Sequence, residues 1–151
     1  MKKTDRITTS QALNQIRKCG TFQEVLAESD KIEEPSFNQA LYEVMSEKRI
    51  KPREVIARTS IDRSYFYHIL SGKKLPSKNV VMRLALAIGC TLNETNRLLR
   101  LAGLSNLYAK MRRDSILIYA IDHKASMQET NEMLMEAEEE PLYSERNLAD
   151  V

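Results

Sequence analysis

Residues 52–77 read PREVIARTSIDRSYFYHILSGKKLPS, the pattern of two short helices joined by a tight turn. Proline suits the first position of a helix, so Pro52 is expected to begin the first one. Glycine commonly ends a helix, so Gly72 is expected to end the second. Apolar side chains in the second helix recur at helical spacing and predict one buried face. They are Tyr65 or Phe66, Ile69 and Leu70. The opposite face is polar, aromatic and basic, and a buried core does not explain it.

Helical periodicity continues on both sides of this stretch. Upstream, SFNQALYEVMSEKRI (36–50) places apolar residues at helical spacing. Downstream, Ser77 and Gly89 have the residue types that begin and end a helix, and Thr91 with Glu94 has the spacing of a capping box for the next one. The chain has only four glycines and four prolines, which disfavours a turn-rich β fold. The five segments predict an all-α domain.

The composition is that of a soluble globular protein. Of its 151 residues, 42% are hydrophobic and 29% are charged, which permits one domain with an extension. No apolar run approaches the ~20 residues of a membrane span, and polar residues follow the basic start where a signal peptide would be apolar. Cys19 and Cys90 are isolated and lack metal-type spacing, which indicates free thiols in a reducing compartment. We therefore expect a cytoplasmic protein.

The net charge of +2 conceals a strong asymmetry along the chain. Residues 1–34 are neutral overall, residues 35–79 carry +5 and residues 80–125 carry +4. Residues 126–151 carry −7. A basic middle beside an acidic tail indicates a polyanion-binding surface followed by a segment with a different role.

Residues 37–103 resemble the helix-turn-helix domain of the lambda-repressor/Cro class, often called the XRE family. The resemblance is carried by REVIA in the first motif helix, DRSYFYHI in the second, SGKKLPS after it and LALAIG in the next helix. It implies a five-helix domain that binds duplex DNA, commonly as a dimer. One departure concerns the family's ion pair between its first and third helices, because those positions hold Met45 and Leu70 here. An apolar contact is expected in its place.

The resemblance places base-reading residues near the start of the second motif helix and one turn further on. Those positions hold Asp62, Arg63, Ser64, Tyr67 and His68. Arg63 suits guanine, because a guanidinium can donate to two acceptors at once. For Asp62 the favoured role is the N-cap of the helix, because a carboxylate close to the phosphates of DNA would be repelled. Tyr67 and His68 have an alternative role as partly buried packing residues.

The same resemblance nominates phosphate contacts on both sides of the motif. Lys73, Lys74 and Lys78 follow the second helix, whereas Lys51 and Arg53 lie at the start of the first. Lysine and arginine at such positions fix the register of a protein on the duplex without reading bases. For the three lysines, the alternative is a solvated loop.

A repeat with an offset of 35 residues follows the motif. TLNETNRLLRLAGLSNLY (91–108) aligns without gaps to SMQETNEMLMEAEEEPLY (126–143), with seven identities in 18 positions. About one is expected by chance from average residue usage. A second helical hairpin over 108–139 is therefore predicted, stacked on the first. The paired Leu-Tyr dipeptides are interpreted as packing residues, with a dimer contact as the alternative.

The N-terminal segment predicts a further, shorter hairpin. SQALNQIRKCG reads as a helix between Ser10 and Gly20, and Thr21 with Glu24 has capping-box spacing for the next helix. The predicted division is thus a helical extension (1–34), the DNA-binding domain (35–106), and a C-terminal hairpin with an acidic tail (107–151). That last part is interpreted as a dimer or partner module. Its acidic run Glu136–Glu140 is interpreted as a solvated helix end, and the alternatives are a partner site or an acidic tail that competes with DNA for the basic surface.

Sequence motifs of enzymes are missing. The chain has no phosphate-cradling glycine loop, no Gly-x-Ser-x-Gly and no His-Glu-x-x-His. The two histidines and the two cysteines are far apart, and His123 has no second ligand at metal spacing. We expect no catalysis, no metal and no cofactor.

Two functions remain. The first is a sequence-specific transcriptional regulator, a repressor, that binds double-stranded DNA as a homodimer in the cytoplasm and associates with the nucleoid when bound. The alternative is an antitoxin or protein-interaction adaptor whose C-terminal hairpin binds a partner protein.

Overall fold

The computed structural model describes residues 7–31 and 34–144. Every regular element in these residues is an α-helix, as predicted. In chain order the helices are α1 (Thr9–Arg17), α2 (Phe22–Lys31), α3 (Phe37–Glu47), α4 (Pro52–Thr59), α5 (Arg63–Leu70), α6 (Lys78–Ile88), α7 (Leu92–Leu101), α8 (Arg112–Asp122) and α9 (Met127–Glu136). They form two compact units, Met1–Pro35 and Ser36–Val151.

The N-terminal unit is a hairpin of α1 and α2, which pack against each other. The prediction that Ser10 begins α1 is wrong. Thr8 is the N-cap, because its hydroxyl accepts the N–H of Gln11 while the Gln11 side chain accepts the N–H of Thr8. Glutamine completes a capping box as well as glutamate does. The helix also ends before Gly20, at Arg17.

The second unit is built around α6. Every residue from Val80 to Ile88 is buried, because α4, α7, α8 and α9 all pack against this helix. Its ends are the predicted ones. The Ser77 hydroxyl accepts the N–H of Val80, and Gly89 takes the left-handed conformation at φ +85° that ends the helix.

Helix α3 packs against α5 and α7 and completes the core. Its N-cap is Ser36, which forms a capping box with Gln39. Met45 of α3 and Leu70 of α5 are both buried in this core. Apolar side chains thus occupy the two positions at which the resemblance implied an ion pair, so the two helices are joined there without burying charges.

The hairpin of α8 and α9 shares the core of the helices before it. Its buried side chains belong to the same apolar cluster as those of α3 to α7. They include Leu117, Ala120, Ile121, Leu134 and Leu142. The boundary at residue 106 therefore stays a prediction about function. No helix among the described residues has the length and apolar character needed to cross a membrane.

Candidate nucleic-acid interface

A three-residue turn joins α4 to α5 and sets the orientation of α5. Ser60 takes the left-handed conformation at φ +55° and ends α4. The Thr59 hydroxyl donates to the carbonyl of Val55 (2.7 Å) and accepts the N–H of Ile61 (3.3 Å). Ile61 is buried, so the turn is fixed by an apolar anchor as well as by hydrogen bonds.

Asp62 is the N-cap of α5, as predicted. Its carboxylate accepts the backbone N–H of Tyr65 at 3.0 Å. This bond satisfies one of the N–H groups that the first turn of a helix leaves unpaired. Asp62 therefore has a structural task at the start of α5, and base reading by this residue stays a prediction.

The inner face of α5 is held by three apolar side chains. Phe66 and Ile69 are 0% exposed and Leu70 is 2% exposed. They belong to the core shared with α3 and α6. Of the two alternatives for the inward aromatic residue, Phe66 is the buried one, whereas Tyr65 is partly buried.

The outer face of α5 carries the polar candidates. Arg63, Ser64, Tyr67 and His68 are all exposed. The guanidinium of Arg63 lies 5.9 Å from the centre of the Tyr67 ring, within the range of a cation–π contact. Tyr67 in turn meets Phe66 edge to face at 5.8 Å. The exposed face is therefore partly ordered by the aromatic residues beside it.

Gly72 ends the motif in a backbone conformation that favours glycine. Its φ is +85°, and a Cβ there would approach the Oδ1 of Asn38 on α3 to 3.2 Å. The backbone beyond it turns back on α5, because the N–H groups of Lys73 and Lys74 both donate to the carbonyl of His68. The two lysine side chains thus begin at fixed points next to the exposed face of α5.

The other predicted phosphate contacts divide into two kinds. Lys51 and Arg53, at the start of α4, are exposed. The Lys78 side chain is only 33% exposed and forms an ion pair with the buried carboxylate of Asp114. Asp114 also accepts the N–H of Tyr108 (2.9 Å). The structure thus gives Lys78 a partner inside the chain, on the C-terminal hairpin.

Arg83 is a residue that sequence reasoning missed. Its side chain is 1% exposed, its Nη2 donates to the carbonyl of Thr59 (2.7 Å), and its guanidinium lies 5.3 Å from the Tyr143 ring. Burial lowers its pKa because the interior disfavours the charged form. Arg83 therefore ties the end of α4 to the C-terminal segment. A signal existed, since it is the one charged residue in the apolar run VVMRLALAI.

The repeated sequence makes the same hydrogen bonds twice. Thr91 and Ser126 cap α7 and α9 with identical capping boxes. Asn96 accepts the N–H of Leu107 (2.9 Å), and Asn131, its counterpart at the offset of 35, accepts the N–H of Leu142 (2.6 Å). The shared Glu-Thr-Asn and Leu-Tyr motifs thus fasten the chain after each helix back onto that helix.

No group of three or more His, Cys, Asp or Glu side chains among the described residues is arranged to hold a metal. Cys90 is buried, and burial raises the pKa of its thiol to about 12. That thiol stays protonated at neutral pH and packs as a small apolar group. The exposed polar residues around α5 and α4 are thus the arrangement with an evident binding chemistry.

Comparison with known proteins identifies the domain to which these residues belong. Residues 40–105 match the family model of the Cro/C1-type HTH DNA-binding domain. Neither a curated protein nor a solved structure matches the chain. The match begins within α3 and extends past the end of α7, and within it α4, the turn at Ser60 and α5 form the helix-turn-helix. The chain therefore carries a Cro/C1-type helix-turn-helix domain over residues 40–105, which supports a role as a DNA-binding regulator.

Proposed function

We propose that the chain is a sequence-specific transcriptional repressor that binds double-stranded DNA as a homodimer. One observation carries the proposal: α5 is fixed by Phe66 and Ile69 on one side and presents Arg63, Ser64, Tyr67 and His68 on the other. A helix of this kind fits the major groove, which is about 12 Å wide. Its position as the second helix of the motif is the one that enters the groove in this class of domain.

Within the groove, Arg63 is the main base-reading residue. Its guanidinium is exposed and held near the Tyr67 ring before DNA arrives, so less side-chain entropy is lost on binding. It donates to both acceptors of a guanine edge. Tyr67 contacts a thymine methyl or a sugar, while Ser64 and His68 provide donors and acceptors one turn apart.

Phosphate contacts on both edges of the groove position α5. Lys51 and Arg53 at the start of α4 neutralise one strand, and Lys73 and Lys74 after α5 neutralise the other. Contact by Lys78 requires that it share its ammonium with Asp114 or release that carboxylate. We therefore assign Lys78 a smaller share of the electrostatic free energy than the other four.

A dimer places two copies of α5 in successive major grooves on one face of the duplex. The half-sites of an inverted repeat then lie one helical turn apart, about 34–36 Å. Occupancy of such a site by the dimer excludes other proteins from it, which is the simplest mechanism of repression. The protein acts in the cytoplasm and associates with the nucleoid when it is bound to DNA.

The salt dependence of DNA affinity tests this interface. Each phosphate contact releases counterions and adds about 0.9 to the slope of log affinity against log salt concentration. Lys73→Ala is therefore expected to weaken binding to all duplexes and to reduce that slope by about 0.9 per copy. The matched control is Lys110→Ala, an exposed lysine outside the motif. Equal slopes for both variants, measured by fluorescence anisotropy, would contradict the phosphate contact.

A second candidate is an antitoxin or adaptor that holds a protein at the C-terminal hairpin. The observation in its favour is charge: residues 126–144 contain six glutamates and no basic residue. A basic partner surface would be attracted to this face. Deletion of the hairpin is unsuitable as a test because it would open the shared core. Loss of a copurifying partner on Glu132→Lys together with Glu136→Lys would support the adaptor, and wild-type protein purified without a partner would count against it.

A further inference from the structure

The chain after α9 turns back and reaches α6. Residues 137–143 are called the return segment below. Arg113 of α8 donates to the carbonyl of Glu140 (2.9 Å), and Asn131 of α9 accepts the N–H of Leu142 (2.6 Å). Leu142 is 3% exposed and belongs to the shared core. The return segment is therefore fastened to the helices beneath it by hydrogen bonds and by an apolar anchor.

Arg83 of α6 lies next to the end of the return segment and is only partly satisfied by hydrogen bonds. It is 1% exposed, and its guanidinium lies 5.3 Å from the centre of the Tyr143 ring. Its Nη2 donates to the carbonyl of Thr59, but its buried Nε has no hydrogen-bond partner among the described residues. A buried guanidinium with an unpaired donor is costly, and the face of an aromatic ring offsets part of that cost. The Tyr143 ring therefore stabilises the buried charge of Arg83.

The carbonyl that Arg83 bonds lies at the start of the turn that orients α5. Thr59 is the last residue of α4, and its hydroxyl accepts the N–H of Ile61 within the turn (3.3 Å). Three residues separate Thr59 from Arg63, the first residue of α5. An arginine at the C-terminal end of a helix also interacts favourably with the helix dipole. Supporting contacts of this kind keep the functional side chains of a site in place.

We propose that Tyr143 is a positioning residue for DNA binding, which acts through Arg83 on the turn between α4 and α5. The ring holds the guanidinium, the guanidinium holds the carbonyl of Thr59, and the turn fixes the direction of α5. The C-terminal hairpin thereby influences the DNA-binding helix and needs no contact of its own with DNA. The inference rests on the proposed function, because it assumes that α5 reads DNA.

The repeat supplies a matched control for this link. At the offset of 35, Tyr143 corresponds to Tyr108, which is 54% exposed, and Arg83 corresponds to the apolar Ile118. Tyr108→Leu therefore removes an equivalent tyrosine that has no part in the link to the turn. Tyr143→Leu and Tyr143→Met remove the ring but keep an apolar side chain, whereas Tyr143→Phe keeps the ring.

Amide hydrogen exchange of the full chain, resolved by NMR, tests the effect on the turn itself. A loss of global stability alone would speed exchange at the Leu99 amide of α7 at least as much as at the Ile61 amide. For Tyr143→Leu and Tyr143→Met we expect the ratio of Ile61 to Leu99 exchange rates to rise about 5-fold or more, with no rise for Tyr143→Phe or Tyr108→Leu. An unchanged ratio in the variants that lack the ring, or an equal rise in Tyr143→Phe, would overturn the inference.

Fluorescence anisotropy on the duplex that the wild type selects measures the effect on DNA binding. Under conditions in which circular dichroism shows each variant to be folded, Tyr143→Leu should raise the dissociation constant about 5-fold or more. Tyr143→Phe and Tyr108→Leu should stay near the wild-type value. Folded variants that lack the ring and bind DNA as the wild type does would overturn the inference. A wild type that prefers no duplex would overturn the proposed function, and the exchange ratio would still decide whether Tyr143 positions the turn.

Discussion

The helical units α6–α7 and α8–α9 have the same internal hydrogen bonds but different surroundings. In both, a Ser or Thr capping box begins the second helix, and an asparagine fastens the Leu-Tyr segment that follows. In the α6–α7 hairpin, α6 is buried along nearly its whole length. In the α8–α9 hairpin, α8 keeps a solvent side that includes Ile116 and Tyr119. The shared hydrogen bonds thus define each hairpin, whereas the helices packed around it determine which of its outer residues are buried.

The surroundings also explain where the two units diverge. Arg83 in the first unit corresponds to Ile118 in the second. Arg83 has a buried acceptor on α4, the carbonyl of Thr59, and that helix belongs to the DNA-binding domain. Arg83 therefore joins the α6–α7 hairpin to the helix-turn-helix. In the α8–α9 hairpin the equivalent position holds the apolar Ile118. Four comparisons between the units test this account.

Matched core deletions are expected to have the largest effect. Leu99→Ala and Leu134→Ala remove equivalent side chains that are both fully buried. Each is expected to lower the free energy of unfolding by about 3 kcal/mol, in one cooperative urea transition followed by circular dichroism. A separate early transition in Leu134→Ala alone would instead make residues 107–151 an independent domain.

Replacement of Asn131 is expected to lower the free energy of unfolding more than replacement of its counterpart Asn96. The Asn131 oxygen accepts from Leu142 and Tyr143 and its amide donates to the Tyr143 carbonyl, whereas the Asn96 oxygen accepts from Leu107. Asn131→Ala leaves more buried backbone groups unpaired, so we expect a loss of about 2 kcal/mol against about 1 kcal/mol for Asn96→Ala. Chemical denaturation of both variants checks this. The reverse order would contradict the roles given to the two side chains.

The left-handed residues after α7 and α9 provide a third comparison. Gly103 (φ +78°) corresponds to Glu138 (φ +60°), and a Cβ at Gly103 would meet no described atom within 4 Å. Backbone strain alone should therefore make Gly103→Ala cost about 1 kcal/mol. Glu138→Gly should stabilise the chain by about 0.5 kcal/mol. Thermal unfolding measures both changes, and destabilisation by Glu138→Gly would contradict the prediction.

The capping-box glutamates are expected to give the smallest effect. Burial would raise the pKa of Glu94, but hydrogen bonds from Thr91 and Lys48 lower it overall. The bond from Ser126 lowers the pKa of Glu129. Both contributions are therefore present above the unfolded pKa of about 4.3 and are lost as the pH falls through the lowered folded pKa.

Urea titrations below about pH 5 check this sign. The stability difference between the wild type and Glu94→Gln should shrink as the pH falls, and Glu129→Gln should show the same trend with a smaller amplitude, since Glu129 is exposed. A difference that grows towards acid pH would be incompatible with the lowered pKa values.

Local features of the fold were predictable because their causes lie within a few residues. The caps at Ser77 and Thr91, the buried face of α5 and the all-helical class follow from spacing and residue type. The error at Ser10 has the same local origin, because Thr8 and Gln11 also form a capping box. For Tyr67 and His68 the periodicity allowed two orientations, and only the packed helix shows that both are exposed.

Long-range features of the site were not predictable. Lys78 and Asp114 are 36 residues apart, and Arg83 and Thr59 are 24 apart. Such pairs leave no periodic pattern, because the fold alone brings them together. The ion pair of Lys78 is the clearest case: from the sequence it is one of several lysines near the motif, and in the structure it holds the C-terminal hairpin to α6.

Selection of binding sites from random duplexes tests most directly the claim that the exposed face of α5 reads DNA. The wild type should enrich an inverted repeat. Arg63→Ala should lose preference at one base position of each half-site, at a cost of about 1–3 kcal/mol. Arg17→Ala, an exposed arginine in α1, should select the wild-type motif. A motif that Arg63→Ala leaves unchanged, or a wild type that selects no sequence, would contradict the account.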